Sequence, residues 1–262
     1  MQLLDFEIFK PYSQVQTFIT TRQGGVSQAP FDSLNLSYAV ADTPDNVNTN
    51  RQRLATHLGI SVAQFCIPKQ THSANIHLVT KTDIGKGSSL TGSFIEDTDG
   101  LITHEKGACL MVFSADCVLT LLYDTENQVI GATHGGWRGT VTQIAAKAVA
   151  ALQTNFGTKP ENLRVGIAPA IRACCYEVGE EVTAAFRQNF SYADQFLHWN
   201  STSNKHHLDL HKATQLQLQA VGVAPENIEV KELCTYCHAA TFFSSRHGKG
   251  ITGRFGAGIF LR

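Results

Sequence analysis

The apolar positions along this chain follow two repeats. In residues 15–21, VQTFITT, apolar and polar residues alternate, which predicts a strand. In 108–115, ACLMVFSA, the apolar run is nearly unbroken and predicts a strand buried on both faces. VLTLLYD (118–124) and QVIGATH (128–134) flank a turn at DTEN (124–127) and read as a β-hairpin. Further strands are expected at NIHLVT (75–80), LRVGIAP (163–169), NIEVKEL (227–233) and FGAGIFL (255–261). Helical spacing appears at 43–59, with Pro44 suited to the first turn and Gly59 to the end. The clearest helix is 140–157, with Thr140 as its cap and Gly157 as its stop. Segments 179–190 and 208–222 read as two more helices. Helices and strands interleave and include a hairpin. The fold expected is therefore α/β (α+β), with helices packed on a mixed sheet. No Pro/Ser/Gly-rich linker divides the chain, so residues 1–262 are read as a single domain.

The hairpin carries the first hint of chemistry. If DTEN is the whole turn, residue 124 pairs with 127, and the ladder continues until Cys117 lies opposite His134. Residues opposed in this way share a face, with Cβ atoms roughly 4.5–5.5 Å apart. A one-residue slip would put them on opposite faces. A thiol beside an imidazole can be a nucleophile with its base, or two ligands of a metal. KQTHS (69–73) supplies a third donor, His72. A Cys-His₂ set leaves one position open on zinc, as catalytic zinc sites do. On spacing alone, Cys117 as a buried core thiol and His72 as a surface histidine stand as the alternative. After His134, Gly135, Gly136 and Gly139 permit close backbone approach. A helix opening near Thr140 would turn its free N–H groups and Arg138 toward an anion.

Composition narrows the choice of partner. The net charge is −1 and no Lys/Arg block or basic stripe occurs, so nucleic acid is not an expected ligand. No run approaches about 18 apolar residues, so no spanning helix and no membrane partner is expected. MQLLDFEIFKPYSQ, with acids at 5 and 7, is not a signal peptide, and a cytoplasmic protein is expected. Its seven cysteines then read as thiols or metal ligands instead of disulfides.

TTRQGGVS and SLNLS (within 20–37), PKQTHS (68–73), SADCVLTLLYD (114–124), ATHGGWRGT (132–140), CCYEVGEEV (174–182) and TGR (252–254) together resemble the YfiH/YlmD-type family. That family was formerly labelled multicopper polyphenol oxidase or laccase-domain. It is now described as purine nucleoside phosphorylases with adenosine deaminase activity. The resemblance covers nearly the whole chain and implies a compact α/β fold with one metal cleft. It implies His72, Cys117 and His134 as ligands of zinc, with copper as the other metal to consider. It also implies Arg22, Asn35 and Arg254 as candidates for binding nucleoside and phosphate, which Arg138 joins from its place at the helix N-terminus. Adenosine, inosine and methylthioadenosine are the candidate nucleosides, and the enzyme is expected as a monomer or weak homo-oligomer. The chain departs from the family pattern in GIAPAIRACCYEV, which lacks the usual GP pairs, and at His247, where a second Arg after Arg246 is usual.

Other readings remain in view. A copper oxidase of phenols needs His-x-His pairs, and none of the eleven histidines is so spaced. A metal-free Cys117–His134 hydrolase acting on a cell-wall precursor is one alternative, and a non-catalytic interaction module another. CTYCH (234–238) matches a haem-attachment pattern, but covalent haem needs export. Cys234 and Cys237 are instead read as thiols near the cleft, outside the ligands of the Cys-His₂ metal, with a second metal or a redox pair as the alternative. GKGITG (248–253) has only nine residues after it, too few for a dinucleotide site, and reads as a loop. The neighbouring Cys174 and Cys175 are expected to be structural.

Overall fold

The computed structural model describes all residues, 1–262. The strands are β1 (Leu3–Leu4), β2 (Val15–Thr20), β3 (Phe65–Cys66), β4 (Ile76–Leu78), β5 (Gly100–Thr103), β6 (Cys109–Ser114), β7 (Val118–Asp124), β8 (Val129–Gly135), β9 (Leu163–Ile167), β10 (Glu177–Val178), β11 (Leu197–Asn200), β12 (Lys205–Leu208), β13 (Ile228–Val230) and β14 (Phe255–Leu261). The helices are α1 (Pro44–Leu58), α2 (Trp137–Val141), α3 (Ile144–Phe156), α4 (Glu180–Asn189) and α5 (Leu210–Ala220). No helix is long and apolar enough to cross a membrane.

Two sheets carry the fold. One runs β1-β2-β14-β6-β3, the other β13-β9-β7-β8-β5-β4, and each mixes parallel with antiparallel pairs. A small sheet, β10-β12-β11, is not hydrogen-bonded to either, and its Val178, Leu197 and Leu208 join the core around β7 and β9. Alternation along the central strands shows how the layers stack. Leu110 and Val112 of β6 pack with Leu119, Leu121 and Tyr123 of β7 between the two large sheets. The alternate β6 residues Cys109, Met111 and Phe113 face outward, under Leu54, Ala55 and Leu58 of α1. The alternate β7 residues Val118 and Leu122 face the other way, onto α3, α4 and α5. Helix, sheet, sheet and helices therefore form four layers, and strands buried on both faces must be apolar throughout. This is the mixed α/β class expected from the sequence. Between β6 and β7 the chain leaves one sheet for the other at Ala115–Cys117, and this crossing places the chemistry.

Three details differ from the periodicity. The β7–β8 turn is longer than DTEN: Asp124 pairs with Val129, leaving a four-residue loop, 125–128. The Asp124 carboxylate accepts the amides of Glu126 (2.9 Å) and Asn127 (3.1 Å), and Gln128 takes φ 52° to rejoin the ladder. The long helix expected over 140–157 is two helices. It begins at Trp137 and breaks at Gln143, whose φ is 61°. The break is stabilised because the Gln217 side chain on α5 donates to the Thr140 carbonyl (2.8 Å). Finally, β5 has no counterpart in the periodicity. Its GLIT core is too short to show a period, yet it pairs with β8 along four residues.

Candidate metal centre and its cleft

The β7–β8 register puts His134 opposite Leu119, two residues from the opposition to Cys117 expected from the shorter turn. A slip of two preserves the face, so Cys117 and His134 still project to the same side. Continued past the strand ends, that register sets Cys117 against Gly136. The missing side chain there is what makes room. A Cβ at Gly136 would lie 3.0 Å from the Cys117 Sγ and 3.0 Å from the His72 Cδ2. His72 arrives from the loop before β4, and its ring meets that of His134 edge-on at 5.0 Å. The Cys117 sulfur and one nitrogen from each imidazole all lie within 4.8 Å of one another.

Asp99, at the start of β5, organises this trio, and sequence reasoning missed it. Its carboxylate accepts three successive amides, from Thr71 (3.0 Å), His72 (3.2 Å) and Ser73 (2.8 Å). These bonds hold His72 in the left-handed region, φ 63°, which a non-glycine residue adopts only when held there. Asp99 Oδ1 also sits 2.7 Å from His134 Nδ1, and the Asp99 carbonyl accepts the His134 amide at 2.8 Å. With Nδ1 engaged, the His134 Nε2 is the nitrogen left for a ligand. A carboxylate bound to a ligating histidine in this way fixes its tautomer and ring orientation. The only sequence signal would have been TDG (98–100), a polar patch ahead of a short apolar run.

Cys117 is positioned from the other side. Ser114 Oγ donates to its carbonyl (2.7 Å). Asp116, at φ 104°, accepts from the Thr235 hydroxyl (2.6 Å) and the Arg246 amide (2.7 Å). The electrostatics favour a thiolate. Burial pushes the Cys117 thiol up, but the His134 charge and hydrogen bonds from both imidazoles bring it down to about 6. Burial pushes His134 down, and the Cys117 charge with the Asp99 hydrogen bond raises it to about 9. Burial likewise lifts Asp99, and its hydrogen bond and charge pairing with His134 lower it to about 2. A pocket that stabilises a thiolate this strongly also suits a divalent cation in place of the protons. One sulfur and two imidazole nitrogens fit zinc or another N/S-binding metal.

The trio lines a cavity of about 800 Å³. Arg51, Lys69, Arg246, Lys249 and Arg254 line it too, against the single carboxylate of Asp116. Tyr38, Phe94, Phe113 and Tyr176 supply aromatic wall. Of the residues proposed from sequence, the structure brings Arg254 into this cavity with His72, Cys117 and His134. Asn35 is fully buried behind it, and its Oδ1 accepts the Arg254 amide (2.9 Å). Arg22 is not in the lining. It binds the carbonyls of Asp32 (2.7 Å) and Ala239 (2.8 Å) and lies over the Phe243 ring. Arg138 stacks on Trp137 and lines a second depression that shares His72 with the first. Arg246 lines the main cavity, whereas His247 packs edge-on against Tyr236. Cys234 and Cys237 do not join the trio. They gather with Cys174 and Cys175 instead.

Gly136→Ala tests the fit of the three donors. The added methyl has to displace Cys117 or His72 by a few tenths of an ångström. Metal affinity measured by competition with a chromophoric chelator should fall by roughly tenfold or more, the range seen when a ligand's support is disturbed. Unchanged affinity would show that the metal does not sit between those two side chains.

A mixed α/β scaffold that buries a carboxylate-oriented histidine beside a cysteine, and opens both to a cationic cavity, defines a candidate metal cleft. Residues 16–262 match the family described as multi-copper polyphenol oxidoreductase laccase, and the chain belongs to that family. It is 35% identical over 260 residues to a purine nucleoside phosphorylase of Bacteroides thetaiotaomicron, covering 99% of this chain and 96% of that protein. It is 31% identical to adenosine deaminase RL5 from an unknown prokaryotic organism, covering 100% of this chain and 99% of that one. The crystal structure of YlmD from Geobacillus stearothermophilus superposes with a TM-score of 0.92 at 37% identity, over 97% of this chain and 94% of that one.

Proposed function

We propose that this protein is a purine nucleoside phosphorylase that also deaminates adenosine, with zinc held by His72, Cys117 and His134. The observation that carries this reading is the three-donor set opening into a cavity that combines cationic side chains with aromatic wall. Its full-length relatives bear the names of the same two activities. Seven cysteines without a disulfide fit a reducing compartment, which supports a cytoplasmic enzyme.

In phosphorolysis a phosphate oxygen bonds to C1′ as the C1′–N9 bond breaks, and the bonding pair leaves with the purine. The ribose gains positive charge and the base negative charge. Arg246, Lys249 and Arg254 offer the charge to hold phosphate. Phe94 and Tyr176 offer faces for the purine and ribose. Burial, reinforced by the nearby Cys117 charge, pushes the Tyr176 hydroxyl well above its ordinary value. Tyr176 therefore stays protonated and can donate to the departing base. Holding phosphate and nucleoside in line is worth roughly 7–11 kcal/mol of barrier. When bound, the metal supplies the Lewis acidity that deamination by water requires. Asp99 holds the His134 ring and the His72 loop in place for both reactions.

A panel of nucleosides with and without phosphate, resolved by chromatography, tests the proposal. Adenosine with phosphate should give adenine and ribose 1-phosphate, with inosine and hypoxanthine as a second product series. Without phosphate, sugar phosphate should vanish while inosine still forms. Equal release of adenine without phosphate would make the protein a nucleosidase. One observation favours a second reading. The lowered Cys117 thiol, with a histidine oriented by a carboxylate, is also the arrangement of a thiol hydrolase. That reading requires activity on another substrate, such as a cell-wall precursor, to survive complete metal removal.

A further inference from the structure

The remaining concentration of metal-binding side chains lies outside the trio. Cys174 and Cys175 occupy the turn that leads into β10, and Cys234 and Cys237 the turn that follows β13. About sixty residues separate the two pairs, yet the four sulfurs all lie within 4.8 Å of one another. The Cys237 Sγ is 3.4 Å from that of Cys175 and 3.9 Å from that of Cys174. Four sulfurs at zinc–sulfur bond lengths of about 2.3 Å sit at tetrahedron corners about 3.8 Å apart. The observed separations bracket that edge. They are far longer than the roughly 2.05 Å of a disulfide, and one sulfur at comparable distances from two others is not a disulfide geometry.

The turns are already joined without metal. Ala170 bridges Cys234, the Thr235 amide binds the Ala170 carbonyl (3.0 Å), and Asp116 takes the Thr235 hydroxyl. The group shares no residue with His72, Cys117 and His134.

We infer that Cys174, Cys175, Cys234 and Cys237 form a second, four-thiolate site for a thiophilic divalent metal of the zinc class. Each thiol releases its proton to solvent as its sulfur lone pair goes to the ion, and no oxidant takes part. Four thiolates exclude magnesium and calcium and leave no open position, which makes the site structural. It clasps the turn carrying Ile171 and Tyr176 to the segment carrying Arg246, and so holds one wall of the cleft. This inference stands independently of the proposed reactions.

Metal analysis of the full chain, expressed with added zinc and purified without chelator, tests it. Wild type should carry two equivalents. The double variant Cys174→Ser/Cys237→Ser should carry one, and so should His72→Ala/His134→Ala. Cobalt loaded into the histidine variant should give the intense sulfur-to-cobalt absorption of a tetrathiolate centre, absent from the cysteine variant. A measurement on wild type avoids any dependence on variant folding. Cys174, Cys175 and Cys237 should resist alkylation until a strong chelator is added, as read by peptide mass spectrometry. Equal alkylation with and without chelator, a Cys175–Cys237 disulfide in place of metal, or an unchanged metal count in the cysteine variant would each overturn the site.

Discussion

Replacing His134 by alanine should empty the trio of metal and take adenosine deamination with it. The substitution reduces three donors to two, and a two-donor remnant holds zinc poorly. It also strands Asp99, whose fully buried carboxylate faces His134 Nδ1 at 2.7 Å. Inosine formation should fall by roughly 10²–10³-fold or more, the range for losing one preorganised electrostatic stabiliser of a transition state. Phosphorolysis should fall less if it depends on the cationic and aromatic wall, and the two product series report this in one chromatogram. His57→Ala, on the exposed last turn of α1, serves as the control and should leave both rates unchanged. Wild-type rates and metal content in His134→Ala would remove the trio from the chemistry altogether.

The second large effect is expected at a residue outside the donor set. Asp99→Asn preserves shape but removes the charge that accepts the amides of Thr71, His72 and Ser73 and faces His134. An asparagine presents an NH₂ on one side. That NH₂ meets either donating amides or the imidazole, so at least one buried donor loses its acceptor. Breaking a buried charge pair from one side costs about 3–5 kcal/mol. Metal affinity should fall by about 10–100-fold through loss of orientation alone. Denaturant melts give the stability change, and chelator competition on the folded variant gives the affinity. A purely structural Asp99 would lower the melt and leave the affinity of the folded protein unchanged. A positioning Asp99 moves both.

Much of the scaffold was legible because it is encoded locally. Continuous apolar runs marked β6, β7 and β14, since strands covered on both faces cannot alternate. Pro44 and Gly59 marked the ends of α1, because a fixed φ and a left-handed stop each demand a residue type. The trio was legible in part. Two residues of a hairpin share a face whenever their register shifts by an even number, so the association of Cys117 with His134 survived a wrong turn length. The Asp124 side chain, by capping its own turn, set the true register, and only the folded loop shows it.

What the sequence by itself determined, then, is which segments are buried strands, where α1 stops and that a thiol and an imidazole project from one hairpin face. Each depends on neighbours within a few residues, where steric rules and period leave little choice. Tertiary structure decided the rest, because it depends on which distant segments pack together. Asp99 reaches His134 only because β5 pairs with β8. The helix after the glycines breaks at Gln143 where a glutamine of α5 adds a second donor to the Thr140 carbonyl. Arg22 and Asn35 bind backbone groups outside the cavity lining, while Arg254, whose guanidinium also donates to the carbonyls of Thr252 and Gly253, lines the cavity. Four cysteines that read separately as ordinary thiols converge because β13 pairs with β9 and brings the turns beyond both strands together. No periodicity records such a meeting, since the energy that fixes it comes from packing across the sheet.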